Sequence, residues 1–305
     1  MSTPRAVLDA LRQTIVGQDE VVESLVLTLI AGGHLLLEGA PGVAKTLACR
    51  ALAAALGGIF RRVQFTPDLL PSDIIGTRVF DQQTSAFHTA FGPLFANIVL
   101  ADEINRAPAK VQSALLEGMQ ERRATIGLET HPLPAPFLVL ATMNPYDAEG
   151  TYPLPLAQLD RFLAKVVVAY PSRDEERAIV DRFGGGEPAL PAGVATLPEV
   201  ADWQLAARAV FVDAKIRDYV VDLVRASRTA ELVAHGASPR AALALVALAR
   251  ARAYLDGRTF AVPDDVRDIA PAVLRHRLAY DDRIAVVGTD PEDIVRRIVA
   301  AVPAP

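Results

Sequence analysis

Apolar residues follow two textures along this chain. Up to about residue 170, short strand-like runs, mostly apolar, recur at 35–38, 62–65, 98–102, 137–142 and 163–168. Segments with apolar residues three and four apart lie between several of them, at 44–56 and 108–121, and two more precede them at 7–13 and 18–30. Strand-like runs alternating with helical periodicity predict a mostly parallel sheet with helices on both faces. Beyond Tyr170-Pro171 the strand pattern stops, save for a short run at 259–262. Helical spacing then takes over at 173–183, 203–212, 216–227, 240–256, 263–278 and 291–302. Gly184-Gly185-Gly186-Glu187-Pro188 and the proline-containing stretch to Pro198 predict a surface loop. The expected architecture is an α/β domain over 1–171 followed by an all-α domain over 172–305.

Composition sharpens this picture. With 305 residues, 51% of them hydrophobic, the chain can bury a sizeable core and suits one larger and one smaller domain. A net charge of −5 argues against a broad nucleic-acid-binding face, although a local basic channel is compatible with it. Cys49 is the only cysteine, so neither an internal disulfide nor a CxxC metal site is available, and it reads as a small buried apolar residue. The start, Met-Ser-Thr-Pro-Arg, lacks the apolar segment of a secretory signal. The longest uncharged apolar stretch, 24–37, contains Gly32, Gly33 and His34 and is too short to span a bilayer. A soluble, cytoplasmic protein is expected.

The first candidate chemistry sits between an apolar strand and a helix. Gly39-Ala40-Pro41-Gly42-Val43-Ala44-Lys45-Thr46, followed by Leu47, reads as a phosphate-cradling loop. Glycine supplies the tight bend, the helix start offers unpaired N–H groups and a positive dipole end, Lys45 reaches the β/γ-phosphates, and Thr46 ligates Mg²⁺. Ala44 stands where the usual pattern has its last glycine. Helical φ/ψ at that residue would make the exchange cheap, with Gly42 still supplying the turn. Taken alone, the segment could also be an ordinary Gly/Pro turn.

Two further strands end in polar groups. The run 97–103 closes on Asp102 and Glu103, the first placed to help hold Mg²⁺ and the second to polarise an attacking water. Adjacent acids also end many surface strands; paired with the upstream loop they point to nucleotide hydrolysis, and Glu103, a water-activating acid, separates that from phosphorylation of a small substrate. The run 137–145 ends in Asn144-Pro145, where an amide can hold the γ-phosphate and the lytic water, or simply open a turn. Arg161 precedes the fifth strand-like run, and Arg240, after Ser238-Pro239, starts a helix. Each can stabilise phosphate charge, or form a surface ion pair.

With these residues in place, the chain resembles an AAA+ ATPase of the MoxR family along nearly its whole length. The motifs that carry the resemblance are Ile15-Val16-Gly17-Gln18, the loop 39–46, Leu100-Ala101-Asp102-Glu103-Ile104-Asn105-Arg106-Ala107-Pro108, Gln112-Ser113-Ala114-Leu115-Leu116-Glu117 and Met119-Gln120-Glu121-Arg122. They continue through Ala141-Thr142-Met143-Asn144-Pro145, Glu149-Gly150-Thr151-Tyr152-Pro153-Leu154-Pro155, Gln158-Leu159-Asp160-Arg161-Phe162 and Ser238-Pro239-Arg240. Ala44 is shared with that family's loop.

The resemblance implies a P-loop αβα sandwich with a five-stranded parallel sheet and an all-α lid. It also implies a β-hairpin inserted in helix 2 at 71–95 and a second hairpin before sensor 1 at 123–134, both facing the pore of a ring. By resemblance, Lys45 and Thr46 are Walker A residues, Asp102 and Glu103 Walker B, Asn144 sensor 1, Arg161 an arginine finger acting in trans and Arg240 sensor 2. Val16, Gly17 and Gln18 would line the adenine, and Arg106 is a further candidate for a neighbour's nucleotide. ATP/ADP and Mg²⁺ are the implied ligands, and a homo-oligomeric ring, a hexamer, the implied assembly. The implied activity is that of a chaperone-like motor working with a von Willebrand factor A-domain protein on client complexes, often metalloenzymes. A nucleic-acid motor would share the hairpins but calls for Lys or Arg at their tips, where these stretches offer only Arg78, Arg122 and Arg123. A nucleotide-dependent scaffold without hydrolysis is the third reading, and the intact Lys45, Asp102, Glu103, Asn144 and Arg161 set opposes it.

Overall fold

In the computed structural model, which describes residues 2–40, 44–145, 150–186 and 188–305, five parallel strands form the central sheet. Two helices, α1 (Pro4–Thr14) and α2 (Asp19–Ala31), lead into β1 (Leu35–Gly39), and α3 (Lys45–Leu56) leads on to β2 (Phe60–Gln64). A short α4 (Pro71–Ile75) opens a hairpin of β3 (Gly76–Asp81) and β4 (Ala86–Phe91), which returns to β5 (Ile98–Asp102). After α5 (Ala109–Glu121) comes a second hairpin, β6 (Arg123–Ile126) with β7 (Glu129–Pro132), then β8 (Leu138–Met143), α6 (Leu156–Leu159) and β9 (Ala164–Val168). The sheet order is β2-β5-β8-β1-β9.

All five strands fall within two residues of the sequence expectation. The reason is visible in the core. Leu35, Leu37, Ile98, Leu100, Leu138 and Leu140 enter one apolar cluster, whereas Leu36, Val99, Ala101, Val139 and Ala141 enter the other. Alternate side chains of β1, β5 and β8 thus feed opposite faces, and both faces are covered, which is why these three read as nearly continuous apolar runs, while the edge strands β2 and β9 keep exposed positions. Both expected hairpins are present as well.

The remainder is mainly helical: α7 (Arg173–Phe183), α8 (Leu197–Arg208), α9 (Ala214–Ala226), α10 (Pro239–Leu255), α11 (Pro263–Leu274), α12 (Arg283–Val287) and α13 (Pro291–Ala301). Helix α8 starts six residues before the expected position at 203 and stops at Arg208 rather than at 212. Thr196 caps it: its hydroxyl accepts from Glu199 N–H while the Glu199 carboxylate accepts from Thr196 N–H, and Pro198 sits in the first turn, where its missing N–H costs nothing. The proline therefore begins a helix instead of ending a loop. The expected strand at 259–262 reduces to one bridge, Phe260 with Phe211. The sequence pattern also missed a small antiparallel pair, β10 (Val233–His235) with β11 (Ala279–Tyr280), which is too short to show a period.

These helices do not form an isolated core. Val22, Leu25, Val26 and Leu29 of α2 share one apolar cluster with Val200 and Trp203 of α8 and with Leu245 and Leu248 of α10. Among the described residues no helix is long and apolar enough to cross a membrane.

His34 ties the amino ends of two central strands together. Its Nε2–H donates to Met119 O at 3.0 Å, and its Nδ1 accepts from Val139 N–H at 3.0 Å, so the neutral ring satisfies both partners. Full burial lowers its pKa from 6.5 to about 3. His276, equally buried, is shifted in the same direction for the same reason. Between about 3 and 6.5 the unfolded chain holds a proton on His34 that the native state refuses. Its contribution to stability is therefore complete above about pH 6.5 and falls as the pH drops below it, by about 1.4 kcal/mol per pH unit, and His276 acts in the same direction. Thermal unfolding followed from about pH 7 to pH 5 should show this loss, and His34→Gln should show a shallower one whatever its absolute midpoint. An unaltered slope in that variant would remove His34 as a cause.

Candidate active site

Three neighbouring strands bring the predicted chemistry to one edge of the sheet. β5, β8 and β1 are adjacent and parallel, so their carboxyl ends open on the same side. β1 ends at Gly39, where an added Cβ would lie 2.5 Å from Val168 O on β9; glycine permits that close approach. Ala40 beyond it is buried. Pro41, Gly42 and Val43 lie outside the described residues. Ala44, Lys45, Thr46, Leu47, Asp102, Glu103 and Asn144 then surround a cavity of about 350 Å³. The described end of the loop, the acid pair and the asparagine thus line one cavity.

Ala44 corrects one expectation. It is left-handed, with φ 60° and ψ 14°, rather than already helical. An L-residue there costs about 1–2 kcal/mol, so alanine is strained at the turn where the common pattern has glycine. Helix α3 starts at the next residue, and its first turn, whose unpaired N–H groups favour an anion, lines the cavity.

The charged groups in the cavity are already engaged. Lys45 Nζ donates to Gly39 O at 2.7 Å. Burial pushes the lysine below its usual range, while Asp102, Glu103 and Glu38 act in the opposite sense. Asp102 Oδ1 accepts from the Thr142 hydroxyl at 2.6 Å, and Thr142 Oγ1 accepts from Glu103 N–H at 2.9 Å. Asp102 Oδ2 accepts from Arg62 Nη2 at 2.6 Å and from Arg62 Nε at 3.0 Å. Glu103 is left-handed, with φ 56° and ψ 52°, and its Oε2 accepts from Gln64 Nε2 at 2.8 Å and pairs with Arg106 Nε at 3.1 Å. Arg106 thus contacts its own subunit's acid.

Arg62, Gln64 and Thr142 were not picked out from sequence. Arg62 and Gln64 share a face of β2, opposite Leu100 and Asp102 of β5. Polar residues two apart on a strand are a legible signal, but their target depends on β2 lying beside β5.

The structure does not bring every predicted residue to this cavity. Val16, Gly17 and Gln18 are not among those lining it; Gln18 Nε2 instead donates to Ala169 O at 3.0 Å, fastening the start of α2 to the chain beyond β9. Arg161 and Arg240 lie elsewhere, around a depression of about 180 Å³ that they share with His34, Met119, Gln120 and Asp160. His34 and Arg161 stand at the amino ends of β1 and β9, at the opposite edge of the sheet from Lys45. A five-residue strand spans about 17 Å, which no side chain bridges. Arg161 Nε is buried with no hydrogen-bond partner.

Comparison with known proteins gives the family. The profile of the ATPase family associated with various cellular activities (AAA) matches residues 34–164, and that of the AAA lid domain matches residues 225–298. The chain is 49% identical to Chaperone MoxR1 of Mycobacterium tuberculosis over 99% of its own length and 82% of that protein. It belongs to the MoxR family of AAA ATPases. Protein MoxR of Methylorubrum extorquens is 32% identical over 96% of this MoxR-family chain and 92% of its own. A crystal structure of a proposed ATPase from Cytophaga hutchinsonii matches with a TM-score of 0.90 at 39% identity, covering 98% of this chain and 94% of that one.

As a MoxR-family ATPase, the protein has a donor set that suits a hard divalent cation: the Asp102 carboxylate and the Thr46 hydroxyl line one cavity. Arg62 on Oδ2 shows that this oxygen already accepts a positive charge. Thr142 holds both acids in register, so Thr142→Val should leave Asp102 Oδ1 and Glu103 N–H without their partner. Unfolding free energy should drop by about 1–3 kcal/mol, with a loss of phosphate release. Wild-type stability and rate in that variant would mean that the hydroxyl bridge is dispensable.

Proposed function

We propose that the protein works as a homo-oligomeric ring, a hexamer, in which each ATP is hydrolysed between neighbouring subunits. The observation that carries this reading is the split of the catalytic set between opposite edges of one sheet. The Lys45 cavity holds the phosphate-binding and water-activating groups, while Arg161 and Arg240 line a separate depression. In a ring, that depression would face the next subunit's cavity and supply both arginines in trans.

The roles follow from the chemistry of each group. Lys45 and the N–H groups at the start of α3 hold the phosphates, and Asn144 orients the γ-phosphate and the water. Glu103 takes up the water's proton as it attacks, after exchanging Gln64 or Arg106 for that water. Asp102 and Thr46 would hold Mg²⁺, which would supply positive charge to offset what develops on the phosphates. Val16, Gly17 and Gln18 border the base, near a boundary between nucleotide domain and lid at about residue 171.

The two hairpins would face the pore and act on protein. Their turns, Gln82-Gln83-Thr84-Ser85 and Gly127-Leu128, carry no cation. Arg78 sits over the Phe87 ring at 5.1 Å and Arg123 pairs with Glu121 at 3.1 Å. Exposed Val79, Phe80, Phe87 and Leu128 offer apolar contact instead. This favours remodelling of protein complexes over a nucleic-acid track. A cytoplasmic chaperone role with a von Willebrand factor A-domain partner, acting on clients such as metalloenzymes, fits the family and the chaperone name of its 49%-identical relative.

Mixed rings test the split site. Glu103→Gln and Arg161→Ala should each bind ATP yet hydrolyse it slowly, the latter by about a thousandfold or more. Mixing the two should restore turnover, because some interfaces then pair an intact Glu103 with an intact Arg161. Absence of rescue at every ratio, with assembly verified by light scattering, would overturn the shared site.

A further inference from the structure

Arg161 and Arg240 come from segments far apart in sequence, yet one carboxylate touches the structure on both sides. Asp160 directly precedes Arg161. Its Oδ2 accepts from the Ser238 hydroxyl at 2.8 Å and lies 4.0 Å from Arg240 Nη1. Its Oδ1 accepts from Arg277 Nε at 2.7 Å. Ser238 also caps α10, accepting from Arg240 N–H at 3.1 Å. Asp160 therefore grips the backbone that launches Arg240 as well as its own neighbour.

Arg277 completes the grip from the end of α11. Its side chain is 2% exposed. Its guanidinium donates to Phe162 O at 2.5 Å, to Leu163 O at 3.2 Å and to Asp160 O at 3.3 Å, and back to Val273 O at 2.6 Å. His276 Nε2 adds a bond to Phe162 O at 3.1 Å, and Arg275 Nη1 one to Lys165 O at 3.3 Å. The turn that carries Arg161 is thus fastened by the helical lid across its whole length. These bonds come in addition to the apolar cluster that α2, α8 and α10 already share.

We infer that Asp160, held by Arg277 and Ser238, is a positioning residue that fixes Arg161 and Arg240 at one spacing and makes them move as one body with the lid. The inference rests on the proposal that both arginines serve the neighbouring subunit's nucleotide. Two cations must meet one γ-phosphate together, and a displacement of roughly 1 Å at such a site costs about a hundredfold in rate. Asp160 acts through the arginines, since its carboxylate oxygens are taken up by Ser238, Arg277 and Arg240.

The test is a kcat-against-KM measurement combined with subunit mixing. Asp160→Asn keeps the size of the side chain and should lower kcat about tenfold or more while leaving the KM for ATP within about twofold. Mixed with Glu103→Gln, it should regain turnover, because its own cavity is intact and receives arginines from an unaltered neighbour. A general folding defect would not be rescued in this way. Ser238→Gly keeps a tolerated helix cap while removing one of the Asp160 contacts, and it should show a smaller fall in kcat with the same rescue. It decides the matter if Asp160→Asn does not fold. Arg161→Ala mixed with Glu103→Gln runs alongside: failure of that rescue would sink the shared site itself. Success there, with wild-type kcat in Ser238→Gly and in any folded Asp160→Asn, or with a loss that mixing does not restore, would overturn the positioning role alone.

Discussion

Parallel alignment of β5, β8 and β1 is the constraint on which the rest of this molecule depends. Each strand is buried on both faces, so polar side chains have no place along its length and collect where it emerges. Because the three strands are neighbours running the same way, Lys45, Asp102, Glu103 and Asn144 emerge together. β1 lies between β8 and β9 rather than beside β2, and an open α/β sheet binds its ligand at such a change of strand order.

That convergence has an electrostatic and a conformational cost. A lysine and two carboxylates in one partly buried cavity need partners, and the structure supplies them from nearby strands: Gly39 O for Lys45, Thr142 and Arg62 for Asp102, Gln64 and Arg106 for Glu103. Two of the turning points, Ala44 and Glu103, are left-handed without being glycine. Strain of this kind persists where the surroundings over-determine the backbone. At Glu103 the Thr142 hydroxyl does so directly, by accepting the strained residue's own N–H.

The opposite edge of the sheet is organised by the helical lid. Packing of α2 against α8 and α10 joins the two parts through a continuous apolar cluster, and Arg277 reaches back to grip the turn before β9. A buried guanidinium is tolerated there because a carboxylate and several carbonyls replace its water. The two edges therefore differ in kind: one gathers strand ends from a single domain, the other is a seam between domains.

Much of this was legible in the residues alone, and the limits have a physical origin. Period-two burial on two covered faces forces apolar runs in β1, β5 and β8, all five strands could be read within two residues, and the loop 39–46, the acid pair and Asn144 could be attached to strand ends. Capping chemistry was partly overlooked: Pro198 looked like a loop residue because its role depends on Thr196 and Glu199 closing a box around it. The φ of Ala44 was likewise invisible, since backbone conformation at a turn is set by what packs around it. Local pattern thus determined the elements and picked out residues that line the candidate cavity. Only the tertiary structure decided strand order, and with it that Arg62 and Gln64 face the acids, that Arg161 and Arg240 lie at the far edge, and that Asp160 links them. Those facts join residues as much as 117 positions apart, and no local periodicity encodes a distance between segments that meet only after the chain has folded.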